Sequence, residues 1–149
     1  LAIQQIQKAI DIEPNYADAY ALLASTLHFS GRPKDGLQAM RRAVLLNPRI
    51  PAAYLMIRGS LHYSSEEYDQ AVEDLSRSLE INPNYLQSKV WLAATYAAQG
   101  RLEDAQWEVD EIRILAPDID FEWVERAYPI QDFHYKQRFR NDLKQAGVL

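Results

Sequence analysis

The chain has 149 residues, 48% of them hydrophobic and 25% charged, with five Gly, seven Pro and no Cys. This suffices for one compact domain or one short run of repeats, and it excludes disulfides, thiolate metal sites and cysteine nucleophiles. A net charge of −5, with no apolar run near the ~18 residues of a membrane span, disfavours nucleic-acid backbones and membranes as partners.

The first element is helical. Ile3, Ile6 and Ile10 fall at i, i+3 and i+7 before the stop at Ile12-Glu13-Pro14. The chain starts inside this pattern at Leu1 and not at a Met, so the expectation is a segment of a longer protein whose leading helix exposes its apolar face. Three further stops follow, at Leu46-Asn47-Pro48, Ile81-Asn82-Pro83 and Leu115-Ala116-Pro117. The four prolines stand 34, 35 and 34 residues apart. Proline lacks the N–H that continues a helix and disfavours helical backbone in the residue before it, so evenly spaced stops mean a repeat.

Each unit reads as a helical hairpin. In residues 17–50, Tyr20, Leu23, Ala24 and Leu27 line the first helix, Gly31 and Pro33 mark the turn, and Gly36, Met40 and Ala43 line the second. In residues 51–85, Tyr54, Ile57 and Leu61 lead, and Ala71, Leu75 and Ser78 follow. The extra residue of this unit is expected in its turn, where Ser64 and Glu67 read as a capping box. In residues 86–119, Leu92, Ala93 and Tyr96 lead, Gly100 breaks the chain, and Ala105, Val109 and Ile112 follow. Residues 120–128 start another helix that Pro129 stops. Phe133 to Ala146 forms the last, with Tyr135, Phe139, Leu143 and Ala146 on one stripe.

The proline period, with small residues at Ala24, Gly36, Ala93 and Ala105, resembles the tetratricopeptide repeat (TPR). The resemblance implies an all-α solenoid of antiparallel helix hairpins with a C-terminal capping helix. Residues 1–16 are then the second helix of a truncated repeat; 17–50, 51–85 and 86–119 are full repeats, and 120–149 a partial repeat and cap. Arg58 and Lys89 depart from the pattern, at a small and an aromatic position respectively, and are expected to lay their stems on apolar surface with the charge in water.

TPR proteins bind partners on the concave face of their first helices. Carried onto this chain, that face holds Ala21, Ser25, His28, Leu55, Met56, Gly59, His62, Val90, Trp91 and Ala94. The expected ligand is a protein or peptide, as an extended segment or a helix, in an apolar groove. No catalytic residue, metal or cofactor is expected. There is no phosphate loop, GxSxG or HExxH motif, and acidic neighbours such as Glu66-Glu67 do not face each other on a helix. His28 and His62, at corresponding positions of adjacent helices, read as groove-lining polar groups.

The tail, with Tyr128-Pro129, Asp132, Phe139 and Leu143-Lys144-Gln145-Ala146-Gly147-Val148, resembles the C-terminal TPR region of bacterial class III adenylate/guanylate cyclases. That resemblance implies the regulatory part of a cytoplasmic bacterial signalling protein. The alternative reading is a self-association module of a multi-repeat scaffold, with copies meeting through the leading helix.

Overall fold

A computed structural model describes residues 2–149; Leu1, the expected start of the truncated repeat, lies outside the described residues. The described residues form nine helices and no strand: α1 (Ala2–Ile12), α2 (Ala17–Phe29), α3 (Pro33–Leu46), α4 (Ala52–Ser64), α5 (Tyr68–Ile81), α6 (Leu86–Ala98), α7 (Leu102–Leu115), α8 (Phe121–Ala127) and α9 (Phe133–Ala146). α2 with α3, α4 with α5 and α6 with α7 pack as hairpins, and each hairpin packs on the next. The result is the all-α solenoid that the repeat implied.

Local chemistry sets the breaks. Gly31 and Gly100 adopt positive φ of 79° and 73° in the first and third turns, a backbone that glycine enters without steric cost. Glu66 holds the same place in the second turn at φ 60°. Pro33 opens α3, where its missing N–H has no helical partner to lose. The carboxylates of Asp120 and Asp132 accept the Trp123 and Tyr135 backbone N–H groups at 2.8 and 2.7 Å, capping α8 and α9. Gly147 ends α9 at φ 92°.

Two expectations about the second hairpin fail together. The three hairpin turns have equal length, residues 30–32, 65–67 and 99–101, and the extra residue lies earlier, in the link 47–51 before α4. Glu67 makes no side-chain cap, and the Ser64 hydroxyl donates to Ser60 O at 2.9 Å inside α4, so the capping box does not form. The helix register therefore shifts by one along α4. Gly59, not Arg58, corresponds to Ala24 and Ala93, and Tyr63, not His62, corresponds to His28 and Ala97. Packing supports this: a Cβ on Gly59 would meet Leu75 Cγ at 2.6 Å. Gly59 is the small residue that lets α4 and α5 approach.

The leading helix also differs from expectation. Ile10 is only 5% exposed, and Ile3 and Ile6 are half-buried. α1 turns this stripe onto α2, with Ile3 against the core of Ala24, Leu27 and Met40. The second helix of a repeat packs on the following first helix as well as on its own, so the contact with α2 covers the stripe.

Candidate partner-binding groove

α9 decides the geometry of the inner face. It caps the last hairpin, packing along α6 and against α7, and its first turn reaches back to the ends of α2 and α4. Just before α9, Gln131 N–H donates to Phe29 O at the end of α2, at 2.8 Å. Just past its end, Arg113 of α7 donates to Gly147 O at 2.8 Å. Between these points α9 packs along α6. Phe139 stacks on Trp91 with ring centroids 4.3 Å apart, and Tyr63 and Tyr128 meet the Phe139 ring edge-on at 5.9 and 5.5 Å. Val90, Trp91, Ala94, Tyr63, Tyr128, Tyr135, Phe139, Leu143 and Ala146 are buried in one core.

Polar contacts fix the register of α9. The Tyr63 hydroxyl donates to Asp142 Oδ2 at 2.5 Å. The Tyr135 hydroxyl and Ser64 Oγ each lie 2.5 Å from His28 Nε2. Burial pushes the His28 imidazole down to about 3, so it is neutral in the folded chain. Arg138 donates to Ser64 O at 2.9 Å and pairs with Glu66. Lys136 and Arg140 both approach Glu125, at 3.3 and 3.7 Å. The basic side chains of α9 are thus partly spent inside the chain.

The ten expected groove residues separate into three groups. Val90, Trp91, Ala94 and His28 are brought together under α9, with Met56 half-buried at the edge of the same core. Ala21 is buried in the neighbouring core, and Ser25 is half-buried. The one-residue shift moves the other three off the groove. Gly59 packs on Leu75, Leu55 is buried at the place of Tyr20 and Lys89, and His62 lines an outer cleft of about 750 Å³ with Arg58, Glu67 and Asp74. His28 and His62 share no partner. Tyr63, which the repeat pattern places at the edge of the groove, stands under α9 against Trp91 and Phe139, and the α9 side chains Tyr135, Phe139 and Asp142 were missed as groove residues. The stripe on α9 was visible as apolar periodicity, but the surface it would meet was not.

The departures from the repeat pattern also resolve. Arg58 makes a two-pronged ion pair with Asp74, 2.6 Å at each contact, which is the strong geometry for guanidinium and carboxylate. Lys89 does not reach water: it is 3% exposed, with Nζ 3.8 Å from Glu108 and 3.6 Å from Glu111. Among the described residues no helix is long and apolar enough to cross a membrane, and no group of three His, Asp or Glu side chains is arranged to hold a metal ion.

Two models of the tetratricopeptide repeat match, over residues 6–38 and 62–123, together more than half the chain. Among solved structures, MamA matches at 20% identity and a TM-score of 0.69, over 98% of this chain and 87% of its own. A thermophilic TPR protein in Thermus thermophilus matches at 20% identity and 0.68, over 96% and 72%. YrrB, a TPR protein with an unusual peptide-binding site, matches at 18% identity and 0.63, over 97% and 74%. No curated protein sequence matches.

Proposed function

Since this chain belongs to the tetratricopeptide-repeat family, we propose that it is a non-catalytic protein-interaction module whose inner face takes an amphipathic helix, and that α9 holds that face until a partner helix replaces it. One observation carries this reading: a helix already sits there. α9 places aromatic side chains on Trp91 and Tyr63 and a carboxylate on the Tyr63 hydroxyl. Aromatic anchors in a dry groove, flanked by a few directed polar contacts, make up a helix-in-groove site. A competing helix needs an aromatic pair four residues apart, with an acid three residues after the second, as in Tyr135, Phe139 and Asp142. Groove residues in this reading are His28, Met56, Tyr63, Val90, Trp91 and Ala94.

The test uses the full chain carrying Tyr135→Ala and Phe139→Ala, which loosens α9, and a fluorescent peptide of residues 131–149. Anisotropy should rise on titration with this variant more than with the parent, and Trp91→Ala in addition should remove the rise. A peptide that binds neither protein would count against the groove as a helix site.

A second reading keeps the same surface but exchanges α9 between two copies, giving self-association. The link between α8 and α9 is only residues 128–132 and contains Pro129, and short, stiff hinges favour such exchange. Light scattering across a concentration series separates the readings. The tail resemblance supports a place for the module in a cytoplasmic bacterial signalling protein, behind a nucleotide cyclase domain. Whether the natural gene encodes a nucleotide cyclase domain together with this module tests that assignment.

A further inference from the structure

The outer face carries one cleft in each junction between neighbouring second helices. The second and third clefts differ in how a buried acid at one shared position is served. Asp74 on α5 and Glu108 on α7 stand at the same place in their hairpins, 34 residues apart. Both are buried carboxylates. Asp74 has the Arg58 guanidinium across it, with both prongs at 2.6 Å. The α6 residue at the place of Arg58 is Leu92, which offers no donor. Glu108 is 4% exposed, and its Oε2 is buried without a hydrogen bond. Lys89 comes no closer than 3.6 Å to either Glu108 or Glu111 and makes no hydrogen bond with them, so the carboxylate lacks the contact that its counterpart has.

The cleft over Glu108 has a volume of about 420 Å³. Its walls include Leu79, Tyr96 and Trp107, and Glu80 and Glu111 stand at it with Glu108. Trp107 is 60% exposed. Glu80 and Glu111 against the one ammonium of Lys89 leave the cleft negative even where Glu108 keeps its proton. An indole face beside buried carboxylate oxygens is the environment that a guanidinium fits, since it stacks flat on the ring while its donors reach the acid.

We propose that this cleft binds an arginine side chain presented by a partner protein, its guanidinium on Trp107 and its donors on Glu108, as Arg58 serves Asp74 within the chain. Lys89, whose ammonium lies 5.5 Å from the centre of the Trp107 ring and makes no hydrogen bond to either acid, must move aside to admit it. Burial raises the Glu108 carboxyl to about 7, so an entering cation also completes its ionisation and binds more tightly above neutral pH. The other ionisable groups facing it are Glu80 from α5, Lys89 and Tyr96 from α6, and Glu111 from α7. The site is separate from the inner groove and does not depend on how α9 behaves.

The experiment titrates N-acetyl-arginine amide into the full chain and follows the Trp107 indole N–H by NMR, assigned through Trp107→Phe. Saturable shifts are expected, with affinity rising several-fold from pH 6 to pH 8. Glu108→Gln should weaken binding at least about tenfold while leaving the fold intact. N-acetyl-lysine amide should bind at least about fivefold more weakly, because a point charge neither stacks flat nor forks. Leu92→Arg should occupy the cleft from inside and abolish the shifts; should that variant not fold, the Glu108→Gln and lysine arms decide alone. Shifts that persist unchanged in Glu108→Gln, equal binding of the lysine probe, or no saturable shift at Trp107 would each overturn the proposal.

Discussion

The second and third hairpins share one backbone plan and differ in how each repeated position is filled. Where the second has Gly59, Arg58, Asp74 and Glu66, the third has Ala93, Leu92, Glu108 and Gly100. In the second, the buried acid is closed by a guanidinium and the turn carries a strained Glu that reaches α9. In the third, the acid is left open and the turn is an unstrained glycine. The scaffold needs only small residues at the crossings and left-handed backbone in the turns. Everything else at these positions is free to carry charge, strain or a binding site.

The largest expected effect comes from opening the closed acid. Arg58→Leu should cost about 3 kcal/mol in urea unfolding, because it leaves the Asp74 charge buried without its partner. Glu108→Met, at the corresponding acid, should change stability by less than about 1 kcal/mol or raise it, since it removes a charge that is already poorly served. Equal costs for the two would erase the distinction between the clefts.

Next comes the pH dependence. The folded chain keeps the Glu108 proton up to about pH 7, whereas an unfolded chain releases it near 4.5. Between those values the folded state binds more protons, so this group's contribution is present at pH 4.5 and lost as pH rises to 7. The loss is at most about 3 kcal/mol. His28 acts with opposite sign. It stays neutral in the folded chain down to about 3 but charges near 6.5 when unfolded, so its contribution is full above 6.5 and falls as pH drops toward 3. The difference between parent and Glu108→Gln stability curves isolates the first group. That difference should run downward across pH 4.5–7, and a flat one would mean that Glu108 is solvated.

A smaller effect tests the helix register. Gly59→Val should cost about 2 kcal/mol by overpacking α4 against Leu75. Gly59 also shows where sequence reading stops. The proline period made the hairpins, their order and the absence of strands legible, because a helix stop is a local property of the chain. It could not show on which side of α4 the extra residue falls. Ser64 and Glu67 offered a plausible cap inside the turn, and only the contact with Leu75 reveals that Gly59 sits at the crossing. That one slip moved Leu55, Gly59 and His62 onto the groove and set Tyr63 at its edge. The fate of α9 was out of reach for another reason. Its stripe of Tyr135, Phe139, Leu143 and Ala146 demanded burial, but which surface it buries depends on the path of residues 128–132, a tertiary matter.

The smallest effect concerns the two turns. Glu66 holds positive φ where Gly31 and Gly100 stand in the other turns, at a conformational cost of about 1 kcal/mol. Its return is the ion pair with Arg138, which lies on the surface and contributes about 0.5 kcal/mol. Glu66→Gly should therefore shift stability by no more than about 0.5 kcal/mol in the parent, because relief of strain and loss of the pair offset each other. With Arg138→Ala already in place only the strain remains, and the same substitution should stabilise by about 1 kcal/mol. Gly100→Glu supplies the converse. A Cβ there meets nothing within 4 Å, so its cost of about 1 kcal/mol should be purely conformational, with no arginine to return any of it. Thermal unfolding of the four chains in the Glu66–Arg138 cycle reads the coupling directly. If Glu66→Gly stabilises equally in both backgrounds, the pair contributes nothing to the seating of α9, and the strained turn has no compensation from that helix.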